Sequence, residues 1–184
     1  SDLISLDKVS IQGLEEDSPQ VDPAPVKPGS FNLLILASGY NAQNMGNFLN
    51  HATSIEGIIR DSEPFKSRNA SVSISYFTNL EDLGCHSGCN GINRLLCCNT
   101  TKVISAAFSS GLLFDEIIVV HNTDTYSGGG YRDSGAYKTN SYSSYCAVYN
   151  GSYATKMALH EFGHSFGDLC DEYSYTSEGI TYTP

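Results

Sequence analysis

The sequence predicts an α/β fold in which helices cover a mostly parallel and twisted β-sheet. Short apolar runs typical of buried strands alternate along the chain with segments whose apolar residues recur at helical spacing. A longer helix is predicted near the end of the chain, over residues 153–169. The 184 residues, 40% apolar and 16% charged, suffice for one globular domain with its own core. Together these features favour a layered sandwich around a single sheet.

The first half of the chain supplies two strands and one helix. The apolar run in residues 31–40 ends in Ser-Gly and predicts a buried strand, and residues 44–61 predict a helix from their apolar spacing. Residues 70–78 alternate apolar side chains with serines, as a half-buried strand does. Residues 1–30 contain one alternating stretch and a Pro-rich segment, which predict the end of an upstream element and a linker before a single domain over residues 31–184.

The second half begins with a helix predicted for residues 101–114 and a fully buried strand for residues 115–123. Residues 127–145 are rich in Gly, Ser and Tyr and predict a long loop. A short strand over residues 145–150 then precedes the long helix.

The acidic composition narrows the range of partners. The formal net charge is −10, which repels nucleic-acid phosphates and anionic lipid head groups. No apolar run approaches the roughly 18 residues that a membrane-spanning helix needs. The sequence therefore predicts no nucleic-acid partner and no membrane insertion, and it leaves protein, peptide or glycan partners open.

Six cysteines indicate disulfide bonds and an oxidising compartment, so we expect a secreted, cell-surface or periplasmic protein. Four of them, Cys85, Cys89, Cys97 and Cys98, lie close together. A structural zinc site with His86 as a further ligand is the alternative, but the spacing matches no zinc module that we can justify.

The predicted long helix carries the residues that point to chemistry. One turn takes 3.6 residues, so His160 and His164 lie about 40° apart around the axis and about 6 Å apart along it, close enough to share one ion. Glu161 is rotated by about 100°, where it can reach a water held by that ion. This HExxH arrangement is typical of Zn²⁺ hydrolases, in which the glutamate is the general base.

A catalytic zinc typically has three protein ligands and an open fourth position. Gly167 is expected to permit a sharp turn through a positive φ, which would return the following acidic residues to the ion. Asp168 follows that glycine too closely to swing round, so we predict Asp171 as the third ligand. Glu172 is the reserve, with a hydrogen bond to a ligand imidazole as its alternative role.

Residues 121–131 could form a rim strand against which an extended substrate pairs, because Gly128, Gly129 and Gly130 would let a peptide backbone approach closely. The alternative is a mobile surface loop. No Gly-Lys-Ser/Thr follows, so a phosphate-binding loop is excluded.

The stretch "ALHEFGHSFGDLCDEY" resembles the signature of the IgA-metallopeptidase family, HExxHxxGxxxDE followed by an aromatic residue. Weaker similarities are "SGYN", "EPFKS", "NRLL" and "DEIIVVHNTDTYSGGG". The resemblance implies a zincin-like three-layer sandwich with a long active-site helix, His160 and His164 as zinc ligands, and Glu161 as general base. Metzincins place the third ligand where this chain has Cys170, so that cysteine could be a thiolate ligand or form a disulfide, for example with Cys146.

These observations predict a zinc-dependent endopeptidase that acts on extracellular proteins, with residues 31–184 as its catalytic domain. The chain ends at Pro184 and its only methionines are Met45 and Met157, so no Met-turn follows the motif. Either the domain continues beyond this sequence or the lower wall of the site is built differently. The alternative function is a non-catalytic zinc-containing binding module or a degenerate peptidase, which four protein ligands on the ion would indicate.

Overall fold

The structure is a computed structural model that describes residues 30–131, 144–171, 173–176 and 179–182. The upstream element and linker predicted in residues 1–30 lie, except for Ser30, outside these residues, and so does Glu172.

The described residues form nine strands and three α-helices. In chain order they are β1 (Phe31–Ser38), α1 (Met45–Asp61), β2 (Val72–Phe77), β3 (His86–Ser87), β4 (Leu96–Cys97), α2 (Thr100–Ser109), β5 (Glu116–His121), β6 (Gly128–Tyr131), β7 (Tyr145–Tyr149), α3 (Ala154–Ser165), β8 (Tyr173–Thr176) and β9 (Gly179–Tyr182). β3 pairs with β4, and β8 pairs with β9, each as a short antiparallel pair.

The main sheet has five strands in the order β2-β1-β5-β7-β6. The first four run parallel, and β6 is antiparallel to β7 at the edge. The prediction of a mixed α/β fold with a mostly parallel sheet is therefore confirmed.

The central strands are buried on both faces, which explains why their sequences read as continuous apolar runs. Alternate residues of each strand belong to two separate cores. One core lies between the sheet and the helices α1 and α3, with Phe48, Ile55 and Phe162 among its members. The other lies between the sheet and α2, with Val103 and Leu96. Helices thus cover both faces of the sheet.

Three predicted boundaries differ from those observed. α2 ends at Ser109 instead of residue 114, and Gly111 adopts a φ of 67° soon after it. Residues 128–131, which fall both in the loop predicted over 127–145 and in the rim strand suggested over 121–131, form the edge strand β6. α3 ends at Ser165 instead of residue 169, because the chain enters a left-handed turn at Asp168.

Two disulfides confirm the prediction for the clustered cysteines: Cys85 pairs with Cys98, and Cys89 pairs with Cys97. This pairing excludes the alternative of a structural zinc held by the four thiolates. The suggested bridge between Cys146 and Cys170 is wrong, because Cys146 is buried and Cys170 is exposed, both as free thiols. None of the helices that the structure describes combines the length and the apolar character of a membrane span.

Candidate metal centre

Helix α3 presents the two histidines of the motif on one face. Ala158 and Phe162 are buried in the core between α3 and the sheet, and they fix the rotation of the helix. The side chain of His160 is 48% exposed and that of His164 is 24% exposed. Residues four apart lie on the same side of a helix, so both imidazoles point in one direction.

The turn after α3 returns the chain toward these imidazoles. The carbonyl of Gly163 accepts hydrogen bonds from the N–H groups of Gly167, at 3.0 Å, and Leu169, at 3.1 Å. The prediction of a positive φ at Gly167 is wrong, since the left-handed residue is Asp168, with a φ of 55°. Gly167 serves packing instead, because a Cβ there would lie 2.8 Å from the Gly163 carbonyl oxygen. The turn brings Asp171 next to the two imidazoles.

His160, His164 and Asp171 bring three ligand atoms together in a nearly equilateral triangle. The two Nε2 atoms are 3.2 Å apart, and Asp171 Oδ1 lies 3.4 Å from His160 Nε2 and 3.3 Å from His164 Nε2. Tetrahedral zinc, with bonds of about 2.0–2.2 Å, requires ligand atoms about 3.4 Å apart. The triangle therefore has the dimensions of one face of a zinc coordination sphere.

The chemistry of the donor set also fits a cation. Nδ1 of His164 lies 2.6 Å from the Leu169 carbonyl oxygen, which can only accept, so Nδ1 carries a proton. In the neutral imidazole, Nε2 of His164 then directs a lone pair toward the carboxylate of Asp171. Burial, followed by the neighbouring His164, lowers the pKa of His160 and favours its neutral, metal-binding form. Electron pairs that face one another at such distances favour a cation between them.

Glu161 lies beside this triangle, in a partly buried position. Desolvation is the main cause that raises its pKa, to about 7. The electrostatic interaction with His164 and a hydrogen bond donated by the Gly130 backbone act in the opposite direction and lower it. A carboxyl group with this pKa can accept and release a proton near neutral pH.

Two of the three glycines of β6, Gly128 and Gly130, let α3 pack directly against this strand. A Cβ on Gly128 would lie 2.6 Å from Met157 Sδ and 2.9 Å from Glu161 Oε1. A Cβ on Gly130 would lie 2.8 Å from the carbonyl oxygen of Glu161. Gly129 is buried on the opposite face, where a Cβ would lie 3.0 Å from the Leu96 carbonyl oxygen. Gly128 and Gly130 are thus needed for the helix to approach the strand, and the predicted contact of the three glycines with a substrate stays a prediction.

Two other candidates for the third ligand, Cys170 and Asp168, lie outside the triangle. Cys170 is exposed, and neither it nor Asp168 belongs to the three-residue group that the described part of the chain brings together. Glu172 is outside the described residues.

Two contributors to the centre were not predicted from the sequence. The carbonyl of Leu169 orients His164, a role that no side-chain pattern could indicate because a backbone atom performs it. Arg94 contributes a positive charge, which lowers the pKa of both His160 and Glu161. Its segment has neither helical nor strand periodicity, and "NRLL" was the only signal there.

Comparisons with known proteins agree with the motif. A family model described as IgA Peptidase M64 matches residues 74–183, which is more than half of the chain and includes the whole centre. A search of curated proteins finds no match.

Proposed function

The chain belongs to the IgA Peptidase M64 family, and we propose on this premise that it is a zinc-dependent endopeptidase that hydrolyses peptide bonds in extracellular proteins. His160, His164 and Asp171 hold the zinc in this proposal, and Glu161 is the general base. The fold is then a zincin-like three-layer sandwich in which α3 is the active-site helix.

One observation carries the proposal: the triangle of two Nε2 atoms and one carboxylate oxygen, with edges of 3.2–3.4 Å, beside a glutamate of raised pKa. Three ligands leave a fourth position for water, as in catalytic zinc sites. Because His160 is about half exposed, that position is accessible from solvent.

Zinc, when bound, supplies Lewis acidity that polarises the peptide carbonyl and acidifies water. The residues of the chain supply the proton transfers. Glu161 accepts a proton from the attacking water as the new bond from oxygen to the carbonyl carbon forms, and it then gives this proton to the amine nitrogen as the C–N bond breaks. The carbonyl of Leu169 keeps the proton of His164 on Nδ1, so that its Nε2 stays available as a ligand.

The edge strand β6 offers a path for an extended substrate. In the proposal a peptide passes along Gly128, Gly129 and Gly130, next to Glu161. The N–H of Gly128 already donates to the Arg94 carbonyl at 3.0 Å, so backbone pairing with a substrate would begin beyond this residue.

We propose a secreted or surface-exposed location, which the two disulfides support because such bonds persist in oxidising compartments. A protein or peptide is the substrate class that family membership favours.

The test compares wild type with Glu161→Ala. We expect zinc content, measured by elemental analysis, to stay at one ion per chain in both, and cleavage of a mixed peptide library to fall by about a hundredfold or more in the variant. Glu81→Ala, which removes an exposed glutamate far from the centre in sequence, is the matched control. Full activity in Glu161→Ala would exclude this base, and a zinc-loaded wild type without any activity would favour the non-catalytic module.

A further inference from the structure

We propose that the side chain of Leu169 forms an apolar contact for the substrate residue next to the scissile bond, so that the peptidase prefers Leu, Met or Phe at that position. This inference rests on the proposed function. It assigns a substrate class to the same centre, namely peptides with a large apolar side chain beside the cleaved bond.

The backbone of Leu169 is fixed at both of its polar groups. Its N–H donates to the Gly163 carbonyl at 3.1 Å, and its carbonyl oxygen lies 2.6 Å from Nδ1 of His164, from which it accepts a hydrogen bond. A single imidazole ring therefore separates the Leu169 carbonyl from the ligand atom Nε2 of His164. Leu169 thus belongs to the wall of the centre, and it cannot move away without breaking the hydrogen bond that orients His164.

The side chain of Leu169 lies against the backbone of α3 and of the turn that follows it. A Cβ on Gly163 would lie 3.3 Å from Leu169 Cδ1, and a Cβ on Gly167 would lie 3.2 Å from Leu169 Cγ. The two glycines therefore leave the space that this side chain occupies. Contact with the helix covers one side of Leu169 only, and the residue is 64% exposed.

The geometry of α3 places Leu169 and the edge strand on opposite sides of the ligand atoms. At 100° per residue, Glu161 lies about 80° to one side of the direction midway between the two histidines, and Gly163 lies about 80° to the other side. Gly128 of β6 adjoins Glu161, because an added Cβ would lie 2.9 Å from Glu161 Oε1, whereas Leu169 lies over Gly163. A peptide bound at the centre therefore has β6 on one side and the exposed surface of Leu169 on the other.

An exposed leucine is common on protein surfaces and by itself indicates nothing. Leu169 differs because its position is fixed before a ligand arrives, so that little conformational entropy is lost on contact. Contact on one side with the apolar surface that distinguishes Leu from Ala corresponds to about a five- to tenfold difference in affinity.

The experiment digests a random peptide library with the zinc-loaded protein and identifies the cleaved bonds by mass spectrometry. Wild type should enrich Leu, Met and Phe over Ala about five- to tenfold at one position directly next to the cleaved bond. Leu169→Ala should lose this enrichment but keep its zinc, because the backbone carbonyl that orients His164 is retained. Leu80→Ala is the matched control, since Leu80 follows β2 and is 63% exposed, and it should keep the enrichment.

A second measurement separates this inference from the proposed function. Zinc-loaded wild type and Leu169→Ala are each titrated by calorimetry with two blocked dipeptide hydroxamates that differ only in a Leu or an Ala side chain next to the hydroxamate. A hydroxamate chelates zinc and is not cleaved, so the result does not depend on peptidase activity. The Leu compound should bind wild type about five- to tenfold more tightly than the Ala compound, and the two should bind Leu169→Ala equally, even if wild type cleaves no peptide.

Three outcomes would overturn the inference. The first is equal affinity of wild type for the two compounds, and the second is an unchanged preference in Leu169→Ala. The third is the same loss of affinity for both compounds in Leu169→Ala, which would limit Leu169 to the positioning of His164. Binding of neither compound to wild type would overturn this inference together with the proposed function, because the zinc would then have no open position.

Discussion

The raised pKa of Glu161 predicts that the metal-free protein loses stability as the pH rises, and that Glu161→Gln abolishes this loss. Burial moves the pKa of this carboxyl group from 4.5 to about 7 in the folded chain. The folded state therefore binds a proton more tightly than the unfolded state does. The contribution to stability is fully present below pH 4.5, the unfolded value, and it is lost as the pH rises through the folded value of about 7.

The size of the effect follows from the two pKa values. Each pKa unit corresponds to about 1.4 kcal/mol, so the full difference is worth about 3 kcal/mol. Between about pH 5 and about pH 8, the contribution of Glu161 to the free energy of unfolding should fall by about 2–3 kcal/mol. The lowered pKa of His160 acts in the opposite direction, because the unfolded chain then binds more protons than the folded one. Wild type and Glu161→Gln both contain His160, so the difference between their free energies of unfolding removes this contribution.

The assay is urea unfolding of wild type and Glu161→Gln in the presence of a chelator, at about pH 5 and again at about pH 8. The difference in the free energy of unfolding between the two proteins should shift by about 2–3 kcal/mol in favour of the variant as the pH rises. Glu81→Gln, in an exposed position, should follow the wild-type curve. Parallel curves for wild type and Glu161→Gln would refute the argument that burial next to β6 controls this carboxyl group.

Three further substitutions test the turn and the strand. Asp171→Ala should weaken zinc binding by more than about a hundredfold in competition with a chromophoric chelator, whereas Cys170→Ser should not; equal affinities for wild type and Asp171→Ala would exclude this ligand. Asp168→Val should lower the free energy of unfolding by about 1–2 kcal/mol more than Asp168→Gly does, because a β-branched residue resists a φ of 55° and both variants lack the carboxylate; equal values in urea unfolding would contradict this argument. Gly130→Ala should cost about 1–3 kcal/mol because its Cβ would lie 2.8 Å from the backbone of α3, whereas Gly57→Ala, which has open space in α1, should stabilise by up to about 1 kcal/mol; a similar effect of both would contradict the packing argument.

Much of the fold could be predicted because its strands are buried on both faces. The apolar runs that became β1, β5 and β7 have no polar alternation, which is typical of strands in a parallel sheet covered by helices. β6 could not be predicted in this way, since Gly128, Gly129 and Gly130 have no side chains from which a periodicity could be read. The end of α3 was missed for a different reason, because Asp168 adopts a conformation for which Gly167 was the more natural candidate.

The centre could be predicted only in part. His160, Glu161 and His164 share one helix, so their relative placement follows from 3.6 residues per turn alone. Asp171 was predicted to join them through a glycine hinge, and it does lie beside the two histidines, but through a turn at another residue. Arg94 comes from a distant segment, and its approach depends on the pairing of the disulfide loop with β6, which the spacing of cysteines does not determine.

Two glycines of β6, Gly128 and Gly130, present only hydrogen atoms to α3, and the helix fills this face of the strand. An added Cβ would lie 2.6 Å from Met157 Sδ at Gly128 and 2.8 Å from the Glu161 carbonyl oxygen at Gly130. A side chain at either position would therefore displace the helix that carries both histidines, so the spacing between strand and helix depends on two residues that contribute no side-chain chemistry of their own.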